Sequence, residues 1–332
     1  MKKPQNHAPG GASPPCHRAE MIMRRSPKLT SKTLFIFLAL LISCPGMAGP
    51  IPTQAVKPLM ELSGRPGDPL SMPSDVAVDA RNIYVVDGGN HRVVVYDLKG
   101  RYRFQIGEQG EAEGQFNSPV GITTSDGRVY VADTGNHRIQ VFDQAGSFIS
   151  SMAVHDGKQA VRPIDVAVTR RGKELYVSGN KNHKIMVFSK KGKLLRAWGG
   201  NGSNRGQFRY PASAILLPDD RLAVVDVLNT RVQVFYPEGR LSVVVGDWGV
   251  LPGQFFRPKG VAIDSAGRFY VSDSYMNMIQ VFSDTGEFLY VLGTAGKPRG
   301  FDTPTGIAMD KRDHLYVVEM LKNKVSVFGI QP

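Results

Sequence analysis

The hydrophobic and polar positions of this chain follow a repeating pattern of short alternating segments. One clear copy ends a strand, makes a polar turn and starts a second strand; it reads Asp133-Thr134-Gly135-Asn136-His137-Arg138-Ile139-Gln140-Val141-Phe142. A similar segment, 87–96, lies 46 residues earlier. The position of Asn136 recurs at residues 90, 136, 182, 229, 276 and 322, so the period is 46 or 47 residues. The pattern therefore predicts six copies of one structural unit.

Each of these six repeats contains the signals of four short strands. A proline opens a short apolar segment, and these prolines are Pro73, Pro119, Pro163, Pro211, Pro258 and Pro304. An apolar second strand, the polar turn, an alternating third strand and a fourth strand after a glycine follow in turn. The alternation has a period of two, and no useful length shows helical periodicity. The sequence thus predicts an all-β fold, a six-bladed β-propeller of four-stranded antiparallel blades starting near residues 72, 118, 162, 210, 257 and 303.

The N-terminal end of the repeat region indicates how the ring closes. Segment 56–64 resembles segment 288–293, the fourth strand before the last repeat, whereas the last repeat ends after Phe328 without a fourth strand of its own. The early segment is expected to complete the sixth blade, which removes a free sheet edge. The propeller domain is therefore predicted to span residues 55–330.

The segment before the propeller has the pattern of an export signal. Residues 1–20 are predicted to be a disordered extension or to precede the true start, and residues 21–48 a signal peptide. The apolar core, 34–42, has nine residues, too few for a bilayer that needs roughly 20. Cleavage before Gly49 competes with a lipobox that ends at Cys44, where the cysteine would be lipidated. Both stay open, so the protein is predicted to be periplasmic or extracellular, either soluble or a membrane-anchored lipoprotein.

Net charge and cysteine content bear on nucleic-acid partners, disulfides and metal sites. The net charge is +12, but removal of residues 1–48 leaves 34 basic against 28 acidic residues, a net charge of +6. Such a mild excess of positive charge does not by itself indicate a nucleic-acid partner. Export would also place the protein in a different compartment from nucleic acid, so no such partner is expected. The two cysteines, Cys16 and Cys44, both precede residue 49. The propeller therefore has neither a disulfide nor a thiolate zinc site.

The turn residues resemble the NHL repeat family, named for Asn-His-Leu. The matching positions read Asn90-His91-Arg92, Asn136-His137-Arg138, Asn182-His183-Lys184 and Asn229-Thr230-Arg231, and the last two repeats drift. The resemblance implies a six-bladed propeller, here interpreted as a secreted bacterial type. Family functions include RNA-binding regulators, receptor sensor domains and peptide-amidating lyases, so the fold does not fix the function.

The acidic and basic ends of the turn predict a structural ion pair. An acidic residue ends the second strand and a basic residue starts the third in repeats 1, 2, 4 and 6; the best example is Asp133 with Arg138. Side chains at these positions can meet across a hairpin. We interpret the pair as a support for the turn rather than as a catalytic group.

The histidine position carries the metal hypothesis. His91, His137 and His183 occupy equivalent turns, and Asp75 and Asp165 lie two residues after their prolines. The resemblance implies that these two positions lie on the same face of the propeller. Three histidines suit zinc, and carboxylates suit calcium. The amidating lyases of this family bind zinc through histidines near the channel, which makes a metal-dependent lyase the alternative function. Histidine is also the family consensus in proteins without metal, so the main prediction is no cofactor.

Basic residues near the prolines indicate a ligand-binding face. Arg162, Arg209, Tyr210, Arg257 and Lys259 flank the starts of the inner strands of repeats 3 to 5. Cations beside an aromatic ring suit an anionic ligand. No Gly-x-Ser-x-Gly, phosphate-loop or His-Glu-x-x-His motif occurs, and no catalytic residue is assigned. The sequence favours a non-catalytic recognition or scaffold protein for a protein, peptide or anionic polysaccharide of the cell envelope.

Overall fold

The computed structural model describes residues 51–179, 181–294, 297–298 and 300–330. The predicted extension, signal peptide and lipidation site at Cys44 lie outside these residues. Within the described ranges, no helix has the length and apolar character needed to cross a membrane.

The described residues form short strands throughout. Before and within repeat 1 these are β1 (Thr53–Leu62), β2 (Gly64–Arg65), β3 (Asp68–Pro69), β4 (Pro73–Val78), β5 (Asn82–Asp87), β6 (Arg92–Asp97) and β7 (Tyr102–Ile106). Repeat 2 and its connection contain β8 (Ile122–Ser125), β9 (Arg128–Asp133), β10 (Arg138–Asp143), β11 (Phe148–Ala153), β12 (His155–Asp156) and β13 (Gln159–Ala160). Repeat 3 contains β14 (Pro163–Val168), β15 (Glu174–Gly179), β16 (Lys184–Ser189) and β17 (Leu194–Gly199).

The later repeats follow the same order. Repeat 4 and its connection contain β18 (Pro211–Leu216), β19 (Leu222–Asp226), β20 (Arg231–Phe235), β21 (Leu241–Val245), β22 (Asp247–Trp248) and β23 (Gln254–Phe255). Repeat 5 contains β24 (Pro258–Ile263), β25 (Phe269–Asp273), β26 (Met278–Phe282), β27 (Phe288–Thr294) and β28 (Lys297–Pro298). Repeat 6 contains β29 (Pro304–Met309), β30 (His314–Glu319) and β31 (Lys324–Ile330). Among the described residues, 3-10 turns span Gly88–Asn90, Thr134–Asn136, Val227–Asn229 and Met320–Lys322.

The strands assemble into a propeller of four-stranded blades, as the sequence predicted. Repeats 1 to 4 each form a separate four-stranded sheet with the strands in chain order. The prediction of six separate blades differs from the observed sheets, because repeats 5 and 6 belong to one nine-stranded sheet. Strand β1 is the cause: Thr53 to Ala55 pair in parallel with β27, and Val56 to Leu62 pair antiparallel with β31. The first strands of successive repeats contact one another, and β29 contacts β4.

The core lies between neighbouring sheets. The second strand of repeat 1 places Tyr84 and Val86 against Val129, Val131 and Phe142 of repeat 2, all of them at most 1% exposed. Because alternate residues of a strand point to opposite faces, each sheet can pack on both of its neighbours. This explains why the apolar second strands read as nearly continuous hydrophobic segments.

The register places the predicted site residues at one end of the sheets. Pro73 pairs with Asp87, and Asp87 pairs with Arg92, so the start of the first strand lies beside the turn between strands two and three. We call this end the loop face. A hairpin turn such as residues 310–313 of repeat 6 lies at the opposite end, between β29 and β30.

Candidate functional site

A buried carboxylate holds each well-formed turn of the loop face. Asp133 has no exposed surface, and its Oδ2 accepts hydrogen bonds from Asn136, Arg138 Nε at 2.7 Å and Gln140. Its Oδ1 accepts the Asn117 N–H at 2.8 Å. Equivalent ion pairs join Asp87 to Arg92, Asp226 to Arg231 and Glu319 to Lys324. The predicted structural pairing in repeats 1, 2, 4 and 6 is confirmed.

The histidine position serves the backbone. Its residue adopts a left-handed conformation in all six repeats, with φ near 54° at His91, and this is a region where Asn and His are enriched among non-glycine residues. In four repeats its side chain also accepts the N–H of the residue that precedes the next proline. These bonds run from Ser118 to His91 Nδ1 (3.0 Å), Tyr210 to His183 Nδ1 (3.1 Å), Thr303 to Asn277 Oδ1 (3.1 Å) and Met72 to Asn323 Oδ1 (2.9 Å).

His91 and His183 therefore have a use that needs no metal. Within the described residues no three His, Cys, Asp or Glu side chains gather into a group that could hold a metal ion. His137 differs from its two equivalents, since its Nδ1 is buried without a hydrogen-bond partner in the described structure. The zinc or calcium site at these turns stays a prediction.

The first strands surround a cavity of about 670 Å3 that opens on the loop face. Five of the predicted ligand residues line it, namely Asp75, Asp165, Tyr210, Arg257 and Lys259. Arg162, Arg209 and the three histidines are not among its described lining residues. The predicted ligand-binding face thus includes residues that line this cavity and residues that lie outside its lining.

Two carboxyl groups form part of the cavity wall. In Asp75 the carboxylate Oδ2 accepts the Ile122 N–H at 3.0 Å, and in Asp165 Oδ2 accepts the Ala214 N–H at 2.8 Å. Each aspartate thus bonds the first strand of the following repeat. β-Bulges between Pro73 and Asp75 and between Pro163 and Asp165 interrupt the register here, as bulges do where a side chain is re-aimed.

The neighbouring glycines make room for these carboxyl groups. A Cβ atom at Gly121 would collide with Oδ1 of Asp165, and one at Gly306 would collide with Oδ1 of Asp75. Burial raises the pKa of Asp165 to about 7. Burial, followed by the charge of Asp165, raises the pKa of Asp75 well above its ordinary value. Both groups are therefore biased toward the neutral acid, which donates as well as accepts hydrogen bonds.

Two cations stand at the same cavity. Arg257 is exposed and Lys259 is partly buried, and neither side chain forms a hydrogen bond or ion pair within the described structure. Burial, and then the charge of Arg257, lowers the pKa of Lys259. An anion beside Arg257 and Lys259 would oppose this lowering of the Lys259 pKa, because its negative charge would stabilise the protonated amine.

The sequence analysis missed the apolar part of the lining. Leu228 and Met320, from the 3-10 turns of repeats 4 and 6, face the cavity together with Ile164. A signal was present for Leu228, because the residue before the asparagine position is Gly, Gly and Lys in repeats 1 to 3 but Leu228, Tyr275 and Leu321 in repeats 4 to 6. The loop face is consequently apolar on one side of the ring.

Comparison with known proteins agrees with the repeat and the fold. Residues 70–96, 116–142 and 255–282 match the NHL repeat. Protein brain tumor of Drosophila melanogaster is 48% identical over 48 residues, which is 14% of this chain and 5% of that protein.

Solved structures share the architecture at low identity. Virginiamycin B lyase from Staphylococcus aureus, solved with quinupristin, superposes with a TM-score of 0.57 at 13% identity over 78% of this chain and 80% of that one. A protein of unknown function from Bacteroides thetaiotaomicron gives a TM-score of 0.62 at 15% identity, over 84% and 75% of the two chains. Identities this low carry the fold alone. Three segments of the chain thus match the NHL repeat, and the chain shares a β-propeller fold with these solved structures.

Proposed function

We propose that this protein is a non-catalytic recognition or scaffold propeller that binds an anionic ligand in the cavity of its loop face. The observation that carries the proposal is the pair of cations, Arg257 and Lys259, which line the cavity and whose side chains form no ion pair in the described structure. Cations near protein surfaces normally pair with carboxylates or solvent, and two unpaired ones in a concave site favour an anionic group.

The rest of the cavity suits a ligand that is only partly polar. Tyr210, Leu228 and Met320 offer apolar surface, whereas Asp75 and Asp165 can act as neutral hydrogen-bond donors. A small charged ligand would leave the apolar wall in contact with water, so a larger ligand with one anionic group fits better. A protein, a peptide or an anionic polysaccharide meets this description in outline.

The finer architecture belongs to the same proposal. We count repeats 5 and 6 as the fifth and sixth blades, with β1 as the last strand of the sixth blade and the link between them. The antiparallel pairing of β1 with β31 and the contact of β29 with β4 support a closed ring of this kind. With a signal peptide at 21–48, the protein would belong to the secreted bacterial type and meet its ligand in the cell envelope, either soluble or anchored through Cys44.

The alternative, a metal-dependent lyase, has no comparable support. It requires His91, His137 and His183 to hold a metal ion, but His91 and His183 accept backbone N–H groups through Nδ1. The likeness to virginiamycin B lyase concerns the fold.

The cavity proposal is tested with two anionic probes, poly-L-glutamate and polygalacturonate, on the purified full chain. Titration calorimetry is expected to detect binding of at least one probe, weakened by salt between about 50 and about 500 mM. Arg257→Glu and Lys259→Gln should each weaken it about 10- to 100-fold, the range for a lost charged hydrogen bond.

The control is Lys311→Glu, which reverses an exposed charge at the opposite end of repeat 6. It should bind the probes with little change, because it lies far from the cavity mouth. Failure of both probes to bind, or equal loss in the control and the cavity variants, would overturn the proposal.

A further inference from the structure

Repeat 5 lacks the side-chain hydrogen bonds that hold the preceding connecting loop in repeats 2 and 4. In repeat 2, Asn136 and Arg138 bind the carbonyl groups of Gly110 and Ala112 in the preceding loop at 2.9 and 2.7 Å. In repeat 4, Asn229 and Arg231 bind the corresponding loop in the same way. Repeat 5 has Met276 and Met278 at these two positions, and neither can donate such bonds.

The loop before repeat 5, residues 246–256, nevertheless forms the same two hydrogen bonds as the loops before repeats 2 and 4. In all three loops the residue two positions before the Gly-Gln pair donates its N–H to the Gln side chain; these bonds are Ala112 to Gln115, Asn204 to Gln207 and Leu251 to Gln254. A second shared bond joins Gly110 to Phe116, Gly202 to Phe208 and Gly249 to Phe255. The loop conformation therefore sets no requirement for particular side chains at its exposed positions.

The side chains of the loop before repeat 5 are large and apolar where those of the two equivalent loops are polar or small. Trp248 occupies the position of Gln109 and Asn201, and it is 69% exposed. Val250 and Leu251, each 63% exposed, replace Glu111 and Ala112 of one sister loop and Ser203 and Asn204 of the other. Because neither folding of the loop nor the core needs them, three large exposed apolar side chains point to an interaction surface.

This surface continues to the cavity. Trp248 lies beside Phe255 in a short parallel pair, and the next residue, Phe256, stacks on Tyr275 with the ring centroids 4.0 Å apart. Tyr275 is 61% exposed, and the N–H of the residue before it binds the Arg257 carbonyl at 3.0 Å. We define Trp248, Val250, Leu251, Phe256 and Tyr275 as the repeat 5 patch, which ends at the cations of the cavity.

We infer that the ligand is a polypeptide, which packs aliphatic or aromatic side chains on the repeat 5 patch and places a carboxylate against Arg257 and Lys259. The inference rests on the proposed function and adds the class of partner. Charge complementarity gives the partner its acidic group, since neither cation forms an ion pair in the described structure. A polysaccharide could stack on Trp248 or Tyr275, but it has no aliphatic side chains to bury against Val250 and Leu251. Exposed Trp and Tyr are also typical of the residues that dominate protein interfaces.

The test uses a phage-displayed random peptide library selected on the wild-type full chain. Selected peptides are expected to combine acidic with aliphatic or aromatic residues. Their affinities are then measured by fluorescence polarisation on Trp248→Gln and Leu251→Asn, which introduce the residues that sister loops carry at the same positions. Trp248→Gln should weaken binding at least about 30-fold, as expected for an interface hot spot, and Leu251→Asn less.

The matched control is Gln109→Ala, at the equivalent position of the loop over repeat 2, which should leave the affinity unchanged. Thermal unfolding of each variant confirms that the fold is intact, and it should be, since the substituted side chains are mostly exposed. Absence of enriched peptides, or full affinity in Trp248→Gln, would overturn the inference. Loss of polygalacturonate binding in Trp248→Gln would assign the patch to a polysaccharide instead and would also overturn it.

The two proposals fail separately. If Arg257→Glu abolishes binding of the anionic probes while peptides bind Trp248→Gln normally, the cavity proposal stands and the polypeptide inference is wrong. If peptides depend on Trp248 but both peptides and anionic probes ignore Arg257→Glu, the cavity proposal is wrong and so is the carboxylate contact inferred from it.

Discussion

The charge state of Asp165 in the cavity wall can be measured through the pH dependence of the free energy of unfolding. Burial raises the pKa of its carboxyl group to about 7, from an ordinary value of 3.8. Between these values the folded protein holds a proton that the unfolded chain has released, so the free energy of unfolding falls as the pH rises. A shift of about three units corresponds to about 4 kcal/mol lost between about pH 4 and about pH 8.

The substitution Asp165→Asn removes this loss, because asparagine stays neutral at every pH in the range. It also removes the charge that contributes to the raised pKa of Asp75, which reduces the penalty for ionising Asp75. We therefore expect the free energy of unfolding of the variant, relative to wild type, to increase by about 4 kcal/mol as the pH rises from about 4 to about 8. At about pH 4, the difference in free energy of unfolding between the variant and wild type depends on the hydrogen bonds that Asp165 accepts from Val166 and Ala214.

Urea unfolding followed by circular dichroism, at pH intervals across this range, measures the relative stability directly. Asp284→Asn is the control, since Asp284 is exposed and forms no hydrogen bond or ion pair in the described structure. The control should follow wild type at every pH. If Asp165→Asn also runs parallel to wild type within about 1 kcal/mol, Asp165 is ionised in the folded protein well below neutral pH and the reasoning fails.

Three further predictions concern the turns of the loop face. Asp133→Ala should lower the free energy of unfolding by about 3 to 5 kcal/mol, because it leaves the mostly buried Arg138 without its carboxylate partner; a loss below about 1 kcal/mol by urea unfolding would contradict this role. His91→Asn should change stability by less than about 0.5 kcal/mol, since Asn277 accepts the equivalent bond in repeat 5, whereas His91→Ala should cost about 1 to 2 kcal/mol. Excess zinc should not raise the melting temperature in scanning calorimetry, and a stoichiometric rise that disappears in His137→Ala would restore the lyase hypothesis.

The local structure of each repeat could be predicted from sequence. Strand length, the turn and the pairing of Asp133 with Arg138 depend on residues within a few positions of each other, so their spacing is enough to specify them. The same holds for the apolar second strands. The number of separate sheets could not be predicted in this way, because β1 resembles a fourth strand whether it pairs with one neighbour or with two.

The candidate site was predictable only in part. Asp75 and Asp165 were found because they occupy equivalent positions after a proline, and Arg257 and Lys259 because they flank one. The metal hypothesis for the histidines stays a prediction, and the structure adds a left-handed backbone conformation at all three and an acceptor role of Nδ1 at His91 and His183. The apolar patch of repeat 5 was missed, since its significance appears only when the three connecting loops are compared on the same backbone.

The sequence by itself thus determined the repeat, its strands and the hydrogen-bonded turn, since each follows from interactions within about 50 residues. The tertiary structure decided which side chains meet across the ring: two carboxyl groups with raised pKa, two unpaired cations and an apolar surface beside them. The physical reason is that desolvation and charge coupling depend on the distance between repeats, and spacing along the chain does not encode that distance.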